Sequence, residues 1–102
     1  MKTYIKKDII EMTAEKTGMD LKQASRAVDA VFSSLRDLMV QPNREIRIEI
    51  RNFGVFEVKR TAAKPKARNP QKPDQTIYIP PRRKTLFRPG KIIKDKLMVP
   101  ME

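Results

Sequence analysis

The stretch from residue 59 to residue 76 most constrains how this chain can fold, because it has almost no large apolar side chain. It consists mainly of Lys, Arg, Ala, Pro and Thr, so it adds little to a hydrophobic core. An irregular loop of this length inside a compact domain is uncommon and is usually functional. Strand-like sequences precede it at residues 55–58 and follow it at residues 77–79. We therefore predict a long β-hairpin that projects from the body of the protein.

The positive charge of the chain is concentrated in and after this stretch. Residues 59–94 hold 12 basic side chains and one acid, Asp74, whereas residues 1–58 hold 10 basic and 9 acidic side chains. The net charge of residues 59–94 therefore equals the +11 of the whole chain. Such segregation indicates a polyanionic partner, either nucleic acid or an anionic membrane, and is less typical of a merely solubilising charge run.

Two helical patterns precede the hairpin. Residues 5–16 carry apolar side chains at helical spacing, and Gly18 is expected to end this helix. Asp20 and Gln23 have the spacing of a capping box, which predicts that a second helix begins there. This helix is expected to stop just before Pro42, because proline cannot continue it.

The apolar stripe of the second helix is wider than one short helix and a small sheet would cover. Without the hairpin, about 80 residues remain, near the size at which a single core is marginal. We therefore expect a dimer in which the helices of two chains share one core, and the alternative is a monomer with a loose core. The predicted dimer core consists of Val28, Val31, Phe32, Leu35, Phe53, Phe56 and Phe87.

After the helices, the apolar period changes to two. Isoleucines alternate with Arg and Glu over residues 46–50, which is typical of a half-buried strand. A turn at residues 52–54, where Asn and Gly tolerate positive φ, leads into the strand that precedes the hairpin. Another short strand is expected at residues 85–87, and residues 89–99 are predicted to form a last helix.

The composition excludes several kinds of chemistry. The chain has no Cys and no His, which excludes disulfide scaffolds, thiolate metal sites and imidazole catalysis. Its acids alternate with Lys and Arg, and nothing resembles a nucleophile beside a base, so a nuclease is disfavoured. We expect no enzymatic activity, no metal, no cofactor and no small-molecule substrate.

The start of the chain, MKTYIKKDII, puts charges where a secretory signal requires an apolar stretch. The apolar runs are far shorter than the roughly 20 residues of a membrane span. Binding to a membrane surface would require a basic amphipathic helix instead of a hairpin. We therefore expect a cytoplasmic protein, associated with the nucleoid if its partner is DNA, and no membrane partner.

A basic RNA-binding or ribosome-associated protein is the strongest alternative, since it would use the same Lys and Arg side chains. Readers of single-stranded RNA usually carry paired aromatic side chains on a sheet for base stacking. Tyr78 is the only aromatic residue within residues 59–86. The sequence therefore disfavours a reader of single-stranded RNA.

Four short segments stand out along the chain: AEKTG (14–18), FGVFEV (53–58), RNPQ (68–71) and FRPGK (87–91). They occur in the order and approximate spacing of the bacterial HU/IHF family, and the chain resembles that family end to end. The run RIEIRNFG resembles one subunit of the IHF branch, and PRRKTLFRPGK resembles the other. Similarity to both subunits within one chain suggests a homodimer, as in HU.

The resemblance implies an α+β fold assembled as an intertwined dimer, with an N-terminal helical hairpin, a three-stranded antiparallel sheet extended into a long β-arm, and a short C-terminal helix. It implies one domain over residues 1–102, with a helical dimerisation part at 1–41, a sheet at 44–87 whose arm protrudes at about 59–76, and a C-terminal helix at 89–99. It further implies an architectural protein that binds the minor groove of duplex DNA, bends it, compacts the nucleoid and shapes nucleoprotein complexes.

The same resemblance assigns the candidate site residues. Pro70 is the rigid apolar wedge that enters between base pairs at the tip of the arm. The other expected DNA-binding residues are Arg51, Arg60, Lys64, Lys66, Arg68, Asn69, Lys72, Arg82, Arg83, Lys84, Arg88 and Lys91.

The chain departs from the family pattern at the turns. Asn52 stands where the family commonly has Gly, and Ala67 stands where Gly usually precedes the Arg-Asn-Pro triplet. Lys72 and Pro73 replace the usual Thr-Gly, and each branch of the arm is about one residue longer than in typical HU. We therefore expect the tip turn to differ from that of the family.

Overall fold

The computed structural model describes residues 1–43, 45–72 and 74–101, and for residues 64–68 it describes the backbone alone. The described residues form three helices and five strands, which confirms the α+β class. They divide into two compact units, Met1–Gln41 and Pro42–Glu102. The organisation of the chain as one functional domain stays a prediction.

The first unit is a pair of helices, α1 (Lys6–Thr17) and α2 (Leu21–Met39). The predicted capping box is confirmed, because the Gln23 N–H donates to Asp20 Oδ1 at 2.8 Å and the Asp20 N–H donates to Gln23 Oε1 at 3.4 Å. Gly18 ends α1 in the left-handed conformation, with φ of 75°.

The second unit contains a three-stranded antiparallel sheet in the order β1-β2-β5, followed by a short helix. The strands are β1 (Ile46–Ile50), β2 (Gly54–Thr61) and β5 (Arg82–Pro89), and the helix is α3 (Lys91–Leu97). β2 and β5 are both three residues longer at their arm ends than the sequence predicts. The polar and basic residues there keep the β5–β2 pairing although they bury little apolar surface.

The arm, residues 62–81, is a hairpin whose strands form a separate two-stranded sheet. Its strands are β3 (Lys64–Arg68) and β4 (Thr76–Ile79), and their antiparallel register shifts between Lys64 and Ala67. The predicted hairpin is therefore confirmed, although residues 59–61 pair with β5 and the separate two-stranded sheet of the arm begins at Lys64. A register shift of this kind bends and twists a strand pair locally.

The turn between β1 and β2 uses Asn52 and Gly54 for different reasons. Asn52 has φ of 64°, the left-handed region that asparagine tolerates better than most residues. Gly54 is in β2 with an ordinary φ, but a Cβ there would lie 2.6 Å from the carbonyl oxygen of Arg88 and 2.8 Å from the ring of Phe87. The glycine is thus required by close packing and not by the turn's dihedral angles.

A single chain buries little of its apolar surface. Among the described residues the buried hydrophobic side chains are Ala24, Val28 and Val58. Ala24 is fully buried, but no large side chain among the described residues is less than 2 % exposed. Within the described ranges, no helix is both long and apolar enough to cross a bilayer.

Candidate nucleic-acid interface

The register of β1, β2 and β5 separates apolar from charged side chains. Successive residues of a strand point to opposite faces of a sheet, and directly paired residues share a face. One face, the apolar face, carries Ile46, Ile48, Ile50, Phe56, Val58 and Phe87. The other, the charged face, carries the cations Arg47, Lys59, Arg82, Lys84 and Arg88 and the acids Glu49 and Glu57.

Glu57 organises two cations at the centre of the charged face. Its side chain is 12 % exposed, its Oε1 accepts a hydrogen bond from Arg88 Nε at 2.8 Å, and its Oε2 lies 3.5 Å from Lys59 Nζ. The side chains of Arg88 and Lys59 remain 65 % and 39 % exposed. A largely buried carboxylate therefore restrains two cationic side chains that stay accessible to an anionic ligand.

The predicted DNA-binding residues of β5 fall on both faces. Arg82, Lys84 and Arg88 lie together on the charged face, as their alternate positions require. Arg83 occupies the opposite face in register with Arg60. All five side chains are exposed, and their contact with DNA stays a prediction.

Arg51 and Lys91 come together at the β1–β2 turn. Both line a groove of about 570 Å³ whose wall also includes Arg47 and the turn residues Asn52 and Phe53. The Gly90 N–H donates to the Phe53 carbonyl at 2.8 Å, which fixes the start of α3 against this turn. The structure thus groups two predicted DNA ligands that are 40 positions apart in the sequence.

The tip of the arm is a turn centred on Asn69. The Gln71 N–H donates to Asn69 Oδ1 at 2.9 Å, and the Lys72 N–H donates to the Asn69 carbonyl at 3.2 Å. The Asn69 N–H in turn donates to the Gln75 carbonyl at 3.1 Å. Asparagine often stabilises turns through such side-chain bonds to the backbone. Pro70 lies inside this turn and is exposed.

Some predicted site residues lie outside the described part of the molecule. The side chains of Lys64, Lys66 and Arg68 do so, although their backbone forms β3. Pro73, one of the departures from the family pattern, also lies outside the described residues. The other predicted arm ligands, Arg60, Asn69, Pro70 and Lys72, have side chains that the structure describes.

Two cations of the charged face, Arg47 and Lys59, were not among the predicted ligands. Both could have been identified from the alternation of apolar and polar residues along their strands. Arg47 lies between Ile46 and Ile48, and Lys59 follows Val58. A residue adjacent to a buried strand residue points away from the core.

The predicted dimer-core residues are incompletely buried in a single chain. Val28 is buried and Leu35 and Phe56 are half-buried, whereas exposure is 58 % for Val31, 43 % for Phe32, 43 % for Phe53 and 42 % for Phe87. The rings of Phe56 and Phe87 lie 4.8 Å apart between centroids, and those of Phe53 and Phe87 lie 5.4 Å apart.

The helical unit leaves an apolar groove open. This groove, of about 230 Å³, is lined by Ile9, Thr13, Ala27, Val28, Val31 and Phe32. Exposed apolar surfaces of this kind are typical of interaction sites. In the described ranges, no group of three or more acids is arranged to hold a metal ion.

Comparisons with known proteins agree with this geometry. The sequence model of the family described as "Bacterial DNA-binding protein" matches residues 4–98. DNA-binding protein HU from Geobacillus stearothermophilus is 38 % identical over 90 residues, which cover 88 % of this chain and 94 % of that protein. DNA-binding protein HU-1 from Halalkalibacterium halodurans is 39 % identical over 90 residues, which again cover 88 % of this chain and 94 % of that protein.

Among solved structures, a cocrystal structure of Anabaena HU with DNA is similar to the fold with a TM-score of 0.81. It is 25 % identical in sequence, and the match covers 95 % of this chain and 100 % of that one. The family model and the identity to HU proteins confirm the resemblance that the four sequence segments indicate. The chain belongs to the family of bacterial DNA-binding proteins that includes HU.

Proposed function

We propose that the chain is an architectural DNA-binding protein that acts as a homodimer, binds the minor groove of duplex DNA with its arms, and bends it. The observation that carries the proposal is the junction of the sheet with the arm. There Lys59 lies directly opposite Lys84 on the charged face. Like charges at directly paired positions destabilise a strand pair, and a polyanion that binds them removes the repulsion.

The charged face supplies a surface for the DNA backbone. Arg88 and Lys59 are already oriented by Glu57, so a phosphate that meets them orders less side-chain motion than it would on free cations. Arg82 and Lys84 extend this surface toward the arm, and Arg51 and Lys91 extend it toward the β1–β2 turn. Phosphate contacts of this kind position a protein on DNA without reading its sequence.

The arm supplies the wedge. A proline ring is rigid and apolar, so little conformational entropy is lost when it enters between base pairs. Unstacking a base step costs a few kcal/mol, which the additional phosphate contacts of bent DNA offset. The turn around Asn69 exposes Pro70 at the end of the arm, the position from which a wedge can reach the base stack. Lys64, Lys66, Arg68 and Lys72 provide phosphate contacts along the arm.

The exposed apolar residues support the homodimer. Val31, Phe32, Phe53 and Phe87 are each more than two-fifths exposed in the single chain. Apolar surface contributes about 25 cal/mol of stabilisation for each Å² removed from water. A second copy of the chain brings an identical set of residues, which suits a two-fold symmetric interface.

We further propose that the chain works by binding and not by catalysis, as one functional domain in the cytoplasm on the bacterial nucleoid. The family match over residues 4–98 supports treating the chain as one functional domain. The RNA-binding alternative is not supported, since the similar proteins bear the name DNA-binding protein.

Ring closure of short DNA tests this function. The persistence length of DNA is about 150 bp, so shorter fragments close slowly on their own. A protein that bends DNA accelerates closure, whereas one that only coats DNA does not. We expect faster closure with the wild-type protein and weaker binding to duplex RNA of equal length. Unchanged closure, or equal affinity for both duplexes, would contradict the proposal.

A further inference from the structure

The strands that lead into the arm extend beyond the three-stranded sheet. Among the described residues, β1 pairs with β2 as far as Val58, whereas β5 pairs with β2 as far as Thr61. Three pairs of residues therefore form a two-stranded overhang, made of residues 59–61 and 82–84. Two-stranded ribbons are marginally stable and twist more than wider sheets. The direction in which the overhang leaves the sheet thus depends on side-chain contacts at its base.

Thr61 closes the end of the overhang. Its hydroxyl group donates to the carbonyl of Arg82 and accepts from the N–H of Arg82, both at 3.1 Å. This pair of bonds joins β2 to β5 at the point where the arm begins. It holds the two strands together, but it does not fix them relative to the rest of the sheet.

A contact of Arg83 fixes the overhang relative to the rest of the sheet. Its Nη1 donates to the carbonyl oxygen of Asn43 at 2.8 Å, across 40 positions of the sequence. Asn43 precedes β1, and β2 lies between β1 and β5 in the sheet. The bond therefore connects one outer strand to the segment that leads into the other. A charged donor makes such a bond stronger than one between neutral groups.

Packing alone does not fill this corner. A cavity of about 270 Å³ lies there, lined by Pro42, Asn43, Arg60, Pro81, Arg82 and Arg83. Lys84, the next residue along β5, is on the charged face with Lys59 and does not line this cavity. Two adjacent cations of the overhang are thus placed for different tasks.

We infer that Arg83 is a positioning residue, which sets the direction of the arm through Asn43, whereas Lys84 is a phosphate ligand. The inference rests on the proposed function, because the direction of the arm determines where Pro70 meets the DNA. It assigns to Arg83 a role other than the direct DNA contact expected from the sequence.

A matched pair of variants separates the two roles. Arg83→Met and Lys84→Met each remove one positive charge and keep an unbranched apolar stem. The chain has no cysteine, so spin labels on Glu49→Cys in β1 and Gln71→Cys at the tip are unique. Diluting labelled protein with excess unlabelled protein isolates the distance within one chain, whatever the oligomeric state.

In the DNA-free protein, we expect Arg83→Met to broaden the distribution of the distance between residues 49 and 71, and Lys84→Met to leave it as in the wild type. Arg83→Lys, which restores a charged donor, is expected to narrow it again. Circular dichroism checks that each variant folds. If Arg83→Met does not fold, Arg83→Gln replaces it, because the glutamine amide is too short to reach Asn43. A wild-type distribution in Arg83→Met or its replacement would overturn the inference.

With DNA, the salt dependence of binding gives the second measurement. Lys84→Met is expected to reduce the slope of log K against log salt by about 0.9 for each subunit, whereas Arg83→Met leaves the slope unchanged. An equal reduction by both variants would make Arg83 a phosphate ligand and overturn the assignment. If the wild-type protein bound no DNA, the proposed function would fail, while the distance measurement would still decide the role of Arg83.

Discussion

The apolar surface of α2 and the cationic surface at the arm and its base are both exposed to solvent in a single chain, but they require different partners. Val31 and Phe32 on α2 expose apolar carbon, whose burial is favourable and depends weakly on salt. The arm and its base expose cations, whose attraction to a polyanion is screened by salt. One surface therefore specifies assembly and the other specifies DNA, and substitutions in each should have separable effects.

Val31→Asp is expected to have the largest effect, since it would bury a charge without a partner in the predicted dimer core at a cost of several kcal/mol. The variant should dissociate or unfold. Sedimentation at micromolar concentration measures the mass, and thermal unfolding measures Tm. Ala30→Asp is the control and should remain dimeric, because Ala30 lies on the polar side of the same helix, four positions from both Arg26 and Ser34. A wild-type protein that sediments as a stable monomer would contradict the shared core.

Gly54→Ala should destabilise the three-stranded sheet without changing the charge of the chain. The new methyl group would lie 2.6 Å from the backbone oxygen of Arg88 and would force the β2–β5 pair apart. Overpacking of this kind costs about 1–3 kcal/mol. Chemical denaturation measures the free energy of unfolding, and the salt slope of DNA binding by the folded fraction should stay as in the wild type. Stability equal to the wild type would show that the strands yield easily at this position.

Lys72→Gln should weaken DNA binding without lowering the stability of the protein. It removes a cation from the tip of the arm, far from any core, so Tm should not change. If each subunit loses one phosphate contact, the salt slope of a dimer should fall by about 1.8. Lys22→Gln, an exposed cation on α2, is the control and should leave the slope unchanged. Equal slopes for both variants would remove Lys72 from the DNA interface.

Asn69→Ala should have the smallest overall effect of these variants, because it deletes one bond, from the Gln71 N–H to Asn69 Oδ1. A net hydrogen bond contributes about 0.5–1.5 kcal/mol, and here it orders only the tip. We expect faster hydrogen exchange at the Gln71 amide and an unchanged global free energy of unfolding. Gln71→Ala, which keeps the backbone donor, is the control. Unaltered exchange in Asn69→Ala would mean that the backbone bonds alone hold the turn.

Local features could be predicted from the sequence because neighbouring residues determine them. The capping box of Asp20 and Gln23 and the helix end at Gly18 each depend on a few consecutive residues, and both are confirmed. The positive φ of Asn52 also follows from its type and its place in a turn. The four family segments likewise indicated the correct family.

Features that depend on pairing between distant residues could not be predicted. Residues 59–61 look like the rest of the basic stretch, and only their partners on β5 show that they continue the sheet. The ion pair of Glu57 with Arg88 joins residues on different strands. The separation of Arg83 from Lys84 likewise requires the register, because both are simply cations in the sequence.

The central claim is that the arm bends DNA through Pro70, and the bend angle tests it most directly. Energy transfer between dyes on the ends of a short duplex, at saturating protein, measures this angle. Pro70→Ala keeps every charge of the chain, so we expect it to bind with similar nonspecific affinity but to bend intact duplex less sharply. Duplex with a nick or a mismatch should partly restore the bend, because unstacking costs less there. If Pro70→Ala bends intact duplex as sharply as the wild type, Pro70 is only a turn residue and the account of the wedge is wrong.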